Sequence, residues 1–292
     1  MSRDFVEVAW LVEHLGDPRV RLVDARSTPH GAAVDMASGR EQYAAGHLPG
    51  AVHLDYADDL SDPATPYAAR VAPPQRFADV MGEHGIGDAS IVVAYDAGTI
   101  PFAARMVWML RYYGHDEAYV LAGGIAAWTA TGRALATDVP QPARAAFTPR
   151  ERRRLRAARD EVLAIAVGRS DEQLVETQRD QTYALRDRDV QGAVRISGNL
   201  LLEDARGGRV ASPETLAALV RDARLDPAKR TVVSCGSGVS ASGAWLALRA
   251  AGFDDVAVYD GSWMEWQHLG LPTVAKASAR RLDAAPRRYT PK

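Results

Sequence analysis

Short β-branched and aliphatic runs alternate with amphipathic stretches along most of the chain. Runs at 20–23 (V-R-L-V), 51–54 (A-V-H-L), 91–95 (I-V-V-A-Y) and 118–121 (A-Y-V-L) are bounded by turn residues and predict strands. A helix opens at Pro73-Pro74 and carries Phe77, Val80 and Met81, and another covers 103–112. A short helix from Glu41 ends before a turn at Pro49-Gly50.

The programme then repeats. Leu174-Val175-Glu176 echoes Leu22-Val23-Asp24, and Gln191-Gly192-Ala193-Val194 echoes Pro49-Gly50-Ala51-Val52. The run 231–235 matches 91–95, and Asp260-Gly261-Ser262 with Trp266 matches Ala122-Gly123-Gly124 with Trp128. The later matches keep an offset of about 140 residues, which marks a duplication. Strands alternating with helices at this spacing predict an α/β fold with parallel sheets flanked by helices, once in each copy.

The expected division is a first domain over 1–136, a linker over 137–159, a second domain over 160–276 and a basic tail over 277–292. The linker carries Pro140, Pro142 and Pro149 and then Arg150, Arg152, Arg153, Arg154, Arg156 and Arg159. A solvated connection entering a helix at 160–166 is the expectation, since no aromatics interleave the arginines as on a nucleic-acid surface. The tail is expected to be mobile or draped over the surface.

Composition narrows the function. A chain of 292 residues with net charge -2 points away from nucleic-acid and membrane specialists. One cysteine allows no internal disulfide and no cysteine-rich metal site, and no cofactor is expected. The start, M-S-R-D-F-V-E, lacks the apolar core of a secretory signal, and no stretch reaches the length of a membrane span. The expectation is a cytoplasmic protein.

That cysteine lies in the most telling stretch, 231–248 (T-V-V-S-C-G-S-G-V-S-A-S-G-A-W-L-A-L). It reads as a buried strand ending at Cys235, a glycine-bearing loop, and a helix from near Ser240. Free backbone N–H groups at a helix start form an anion site, and Gly236 and Gly238 let the loop curl its amides toward the sulfur. Such a setting lowers a thiol from about 8.5 into the range of about 3.5–7.5. The competing reading is inert packing, because free cysteine is among the most buried residue types.

Together, the duplication and this loop resemble the tandem rhodanese-type sulfurtransferases over nearly the whole chain. G-H-L-P-G-A (46–51), C-G-S-G-V-S-A (235–241) and Y-D-G-S-W-M-E-W (259–266) carry the resemblance, the last most specifically. It implies two rhodanese-like domains related by duplication. The neutral Gly-Ser-Gly after the cysteine resembles 3-mercaptopyruvate sulfurtransferases, whereas thiosulfate enzymes carry basic residues there.

By motif position the resemblance implies that Arg179 and Arg186 hold the substrate carboxylate, with Arg188 a weaker candidate. Gly236, Gly238, Val239 and Ser240 would line the substrate loop. Cys235 would be the nucleophile and carry a persulfide, while Ser237 either bonds the attacking sulfur, relays a proton or is simply a small loop residue. A small-molecule sulfur donor is implied, with a thiol acceptor such as thioredoxin or a low-molecular-weight thiol, or cyanide.

The first copy has Tyr95-Asp96 where the cysteine loop would begin, so its expected job is to close one side of the cleft. His47 is a candidate to reach that cleft, or else it braces its own turn; Asp35 is a weaker candidate. The second copy departs from the family block: Asp189 stands at the histidine position and Gln191 at the proline position. Its first strand ends Glu176-Thr177-Gln178-Arg179 rather than in Asp-x-Arg.

Rival readings are a thiosulfate:cyanide sulfurtransferase, a cysteine phosphatase and a sulfur-relay or binding module with low donor turnover. The phosphatase needs an arginine after Cys-x5, where this chain has Ala241 and Ser242.

Overall fold

β-branched runs become strands wherever they can be buried on both faces between helices. The computed structural model describes residues 4–28, 36–67, 69–202 and 208–276, with the backbone of 281–282. Elements of the first half are β1 (Phe5–Val6), α1 (Val8–His14), β2 (Val20–Asp24), α2 (Gly39–Ala45) and β3 (Val52–His53). There follow α3 (Pro74–Glu83), β4 (Ile91–Tyr95), α4 (Pro101–Tyr112), β5 (Ala118–Leu121) and α5 (Gly124–Ala130).

The second half runs α6 (Arg159–Ala166), β6 (Gln173–Glu176), α7 (Asp180–Tyr183), β7 (Arg188–Val190), β8 (Val194–Ile196) and α8 (Gly198–Leu201). It continues with α9 (Pro213–Ala223), β9 (Thr231–Ser234), α10 (Val239–Ala250), β10 (Val256–Val258) and α11 (Ser262–His268). The short strands β11 (Thr273–Ala275) and β12 (Arg281–Leu282) come last.

Both sheets are parallel throughout. The first has the order β1-β5-β4-β2-β3 and the second β10-β9-β6-β8-β12. The duplication is therefore spatial as well as sequential: β5, β4, β2 and β3 correspond to β10, β9, β6 and β8. β11 stands apart, pairing antiparallel with β7. Within 277–292, the backbone of 281–282 lies as an edge strand on β8.

The halves share one hydrophobic core. Buried Met106, Val107 and Leu110 of α4 belong to the same cluster as Ala244, Leu246 and Ala247 of α10. Because these helices follow β4 and β9, their packing turns the loops at the carboxyl ends of the two sheets toward each other.

Most of the linker is exposed and leads into α6, and it also packs along both halves. Arg150 and Arg152 donate backbone N–H groups to the Tyr113 and Tyr112 carbonyls. Arg156 makes a parallel bridge to Val258 beside β10, the place that β1 takes beside β5. Its guanidinium meets Asp260 at 3.0 Å, and Arg154 pairs with Asp255 at 2.8 Å. The arginine run is a strap across both halves.

Among the described residues, no helix is long and apolar enough to cross a membrane.

Candidate active site

In an open parallel sheet, ligands collect beyond the carboxyl ends of the strands, where neighbouring strands lead their chains in opposite directions. In the second sheet that place lies between β6 and β9. β6 continues through α7 and β7 to β8 on one side, and β9 lies on the other. Cys235 follows β9 and Arg179 follows β6, so both reach one cleft.

Cys235 is 2% exposed, and its neighbours fix the loop from all sides. β9 stops at Ser234, one residue before the cysteine, and α10 begins at Val239. Gly238 caps that helix at φ 84°, which a side chain would strain, and its N–H donates to Cys235 Sγ at 3.1 Å. The Ser237 and Ala241 amides also favour charge on the sulfur. Below, Ser262 Oγ accepts from Cys235 N–H at 3.1 Å. Trp263 and Met264 N–H groups donate to the Cys235 and Gly236 carbonyls, both at 3.0 Å. This explains why the 259–266 motif is so specific: the start of α11 is the cysteine loop's floor.

Above the sulfur lies a cleft of about 540 Å³. The second half gives it Cys235, Gly236, Ser237, Val239, Ser240, Gln178, Arg179, Leu185, Trp263 and Met264, and the first half gives Tyr56, Thr99, Pro101 and Phe102. Arg179 Nη2 donates to the Thr99 carbonyl at 3.0 Å, which ties the cleft across the halves. Burial lowers the Arg179 guanidinium somewhat, against the opposing pull of Asp96. A second cavity of about 430 Å³, between Arg70, Tyr112, Arg156 and Tyr259, does not include the cysteine.

The rhodanese-like domain matches this chain twice, over residues 7–131 and 160–269. The chain belongs to the rhodanese-like family. It is 31% identical over 270 residues to the 3-mercaptopyruvate sulfurtransferase of Escherichia coli K12, covering 90% of this chain and 94% of that one. It is equally 31% identical over 289 residues to the thiosulfate sulfurtransferase of Bos taurus, covering 93% and 94%. The crystal structure of SseA from Escherichia coli, solved as a 3-mercaptopyruvate sulfotransferase, superposes with TM-score 0.80 at 28% identity, covering 89% of this chain and 98% of that one. This rhodanese-family chain is a sulfurtransferase.

Within the rhodanese halves, several expected residues lie elsewhere than the cleft. Arg186 corrects the two-arginine clamp. It is buried outside the cleft, its Nη2 3.0 Å from both Glu176 Oε2 and Asp189 Oδ1, and its plane lies over Trp263 and Tyr183. The first half explains why. There Arg26, two residues past Asp24, binds that strand-end carboxylate in a fork. Two residues past Glu176 stands Gln178, and the missing guanidinium is supplied by Arg186. Asp189, at the histidine position of the family block, completes the exchange: it accepts from the Tyr183 hydroxyl at 2.5 Å and from Arg186 at 3.0 Å.

His47 also lies away from the cleft. It is fully buried, with its ring nitrogens 2.9 Å from the Tyr43 and Asp138 carbonyls, and braces its own turn. Arg188 is on β7, bonded to Thr273. Gln191 belongs to a turn whose N–H meets the Pro272 carbonyl. Asp35 lies outside the described residues.

The thiol itself corrects a further expectation. Burial pushes the Cys235 thiol up and the Glu176 carboxylate adds to this; the Ala241, Ser237 and Gly238 amides pull it down without prevailing. Glu176 is wholly buried, and burial holds its own carboxyl above the usual carboxylate range, with Arg186 opposing and Asp189 reinforcing.

Sequence reasoning missed Glu176, Tyr56, Phe102 and Trp263. It also missed the equivalent loop of the first half. There Asp96, in the cysteine's place, accepts from Gly98, Thr99 and Ile100 N–H groups at 2.9–3.1 Å on one oxygen. Phe102 and Ala103 N–H groups donate to the other at 3.2 and 3.3 Å. The signal was present as an acidic residue directly after a buried strand and before Gly98 and Pro101.

Proposed function

We propose that this sulfurtransferase takes sulfur from 3-mercaptopyruvate, holds it as a persulfide on Cys235 and passes it to a thiol or cyanide. The observation that carries this reading is a sulfur ringed by backbone amides in a loop without charged side chains, under a cleft with one guanidinium. Thiosulfate is a dianion and favours a cationic loop, whereas mercaptopyruvate presents one carboxylate that Arg179 alone can fork.

In the first step the Cys235 thiolate attacks the donor sulfur. The Sγ–S bond forms and the donor C–S bond breaks, and its electron pair leaves as the pyruvate enolate, which takes a proton from solvent. Cys235 is then Cys–S–SH. In the second step an acceptor thiolate attacks the outer sulfur, becomes the persulfide and returns Cys235 as thiolate. With no second cysteine in the chain, the acceptor comes from outside, as a low-molecular-weight thiol or a thioredoxin-like protein.

The Asp96 loop supports the amide cup as an anion holder. In the repeat without a cysteine, the same turn binds a carboxylate whose terminal oxygens extend beyond Cβ, as the outer sulfur of a persulfide extends beyond Sγ. Ser237 and Ser240 line the cleft beside the sulfur and are the hydroxyls available to hydrogen-bond donor or acceptor.

The test is a steady-state comparison of 3-mercaptopyruvate and thiosulfate as donors, with Cys235→Ser as control. Intact protein treated with donor should gain about 32 Da, one sulfur, removable by thiol. No adduct in reductant-free buffer overturns the persulfide. Faster turnover with thiosulfate favours the second reading, which the equal identity to the Bos taurus enzyme keeps in play.

A further inference from the structure

Behind the cysteine loop the halves meet at one guanidinium. Arg105, on α4 of the first half, has no exposed surface. Its plane lies over Trp108 at 4.4 Å, Nη2 donates to the Ala69 carbonyl, and the same nitrogen lies 3.9 Å from Asp260 Oδ2. Among the described residues, its Nε and Nη1 have no hydrogen-bond partner. Nη1 faces the backbone of Gly238: a Cβ built there would stand 3.3 Å from it and 2.9 Å from Asp260 Cα. Gly238 is the residue whose N–H donates to Cys235 Sγ.

A guanidinium in this place is costly. It is fully desolvated, two of its three nitrogens are unsatisfied, and its one carboxylate is shared with Arg156 at 3.0 Å. An apolar side chain of similar length would fill the space between α4 and α10 at lower cost. Packing therefore does not account for an arginine, and charge beside the cysteine loop does.

We propose that Arg105 is a positioning residue for the sulfur chemistry, supplied by the half that has no nucleophile. It seats Asp260 and the Gly238 turn against each other, and its positive charge offsets the negative charge that forms on the Cys235 sulfur. The inference rests on Cys235 being the nucleophile.

The other ionisable groups around the sulfur are Glu176 at the end of β6, Tyr56 from the first half, and Arg179 at the start of α7. Glu176 opposes a thiolate. Arg179 faces the cleft, where a donor carboxylate would occupy it, and Arg186 is paired with Glu176 and Asp189, so among the described residues Arg105 is the cation left to the sulfur.

Cys235 is the only thiol in the chain, so alkylation by iodoacetamide reports on it alone and needs no sulfur donor. The rate is followed against pH for wild type, Arg105→Met and Arg105→Lys. Arg105→Met should move the profile about one pH unit upward, a tenfold slower reaction at pH 7.5, and Arg105→Lys should recover most of that loss. An unshifted profile in folded Arg105→Met overturns the proposal, as does a lysine variant no better than methionine. Where Arg105→Met does not fold, Arg105→Gln is read by the same criteria. A failed donor assay with a shifted profile would instead count against the proposed donor, leaving the role of Arg105 intact.

Discussion

Arg186 Nη2 lies 3.0 Å from Glu176 Oε2, a single ion-pair contact from a different arginine in the place where Arg26 forks Asp24 in the first half. Of the two arginines expected by motif, Arg186 pairs with buried acids, and Arg179 lines the cleft where the proposed donor would lie. Arg186→Ala strands a buried carboxylate and should cost about 3 kcal/mol or more of stability, read as a lowered thermal midpoint. The folded fraction should retain a KM near wild type. Arg179→Gln should do the reverse, raising KM about tenfold with little loss of stability. Equal KM effects from both would restore the clamp.

The thiol stands above its ordinary value because burial, then Glu176, outweigh the loop amides. Thiolate should therefore grow about tenfold per pH unit from pH 7 to beyond the ordinary thiol value of about 8.5. The alkylation rate should climb through that window without levelling. The stability sign follows. The fold favours the protonated form, so this contribution is complete below about pH 8.5 and is lost as pH rises through the folded value. Cys235→Ser should flatten that alkaline decline in a denaturation series. A rate plateau near pH 7 would contradict both expectations.

Glu176→Gln removes the carboxylate that opposes the thiolate and leaves Arg186 paired with Asp189. Alkylation at pH 7.5 should quicken by about three- to tenfold. Stability should fall by about 1–2 kcal/mol as one charge-assisted contact weakens. A slower reaction in the folded variant would show that Glu176 acts on the loop by some route other than charge.

Asp96→Ala leaves five N–H donors of the first-half loop without their carboxylate. The expected cost is about 3 kcal/mol, measured as a shift in the urea midpoint. Because Phe102 and Thr99 line the cleft from this loop, donor KM should rise as well. An unaltered midpoint would mean that water replaces the carboxylate without loss.

Much of this was legible in the chain. β-branched runs such as 91–95 and 231–234 survive in both repeats because each lies in the middle of a parallel sheet. The cysteine loop was visible because glycine at 238 answers a positive φ. The direction of long side chains was not visible: Arg186 sits at the expected motif position but turns behind Trp263 to reach Glu176. Nor was the rise of the thiol, since it comes from tertiary burial and from Glu176, which no local spacing brings to Cys235. A basic run reads as solvated until its partners are known, and Arg156 finds its carboxylate 104 residues away.

The seam between the repeats is stitched with charge as well as filled with apolar side chains. Arg70 meets Glu265 at 2.7 Å, Val71 N–H meets Asp260 at 3.0 Å, and Arg105 and Arg156 converge on that same carboxylate. Cut free, the cysteine-bearing repeat would keep Asp260 and Glu265 and lose Arg105 and Arg70, the first half's answers to them. In this polypeptide neither repeat is a spare part.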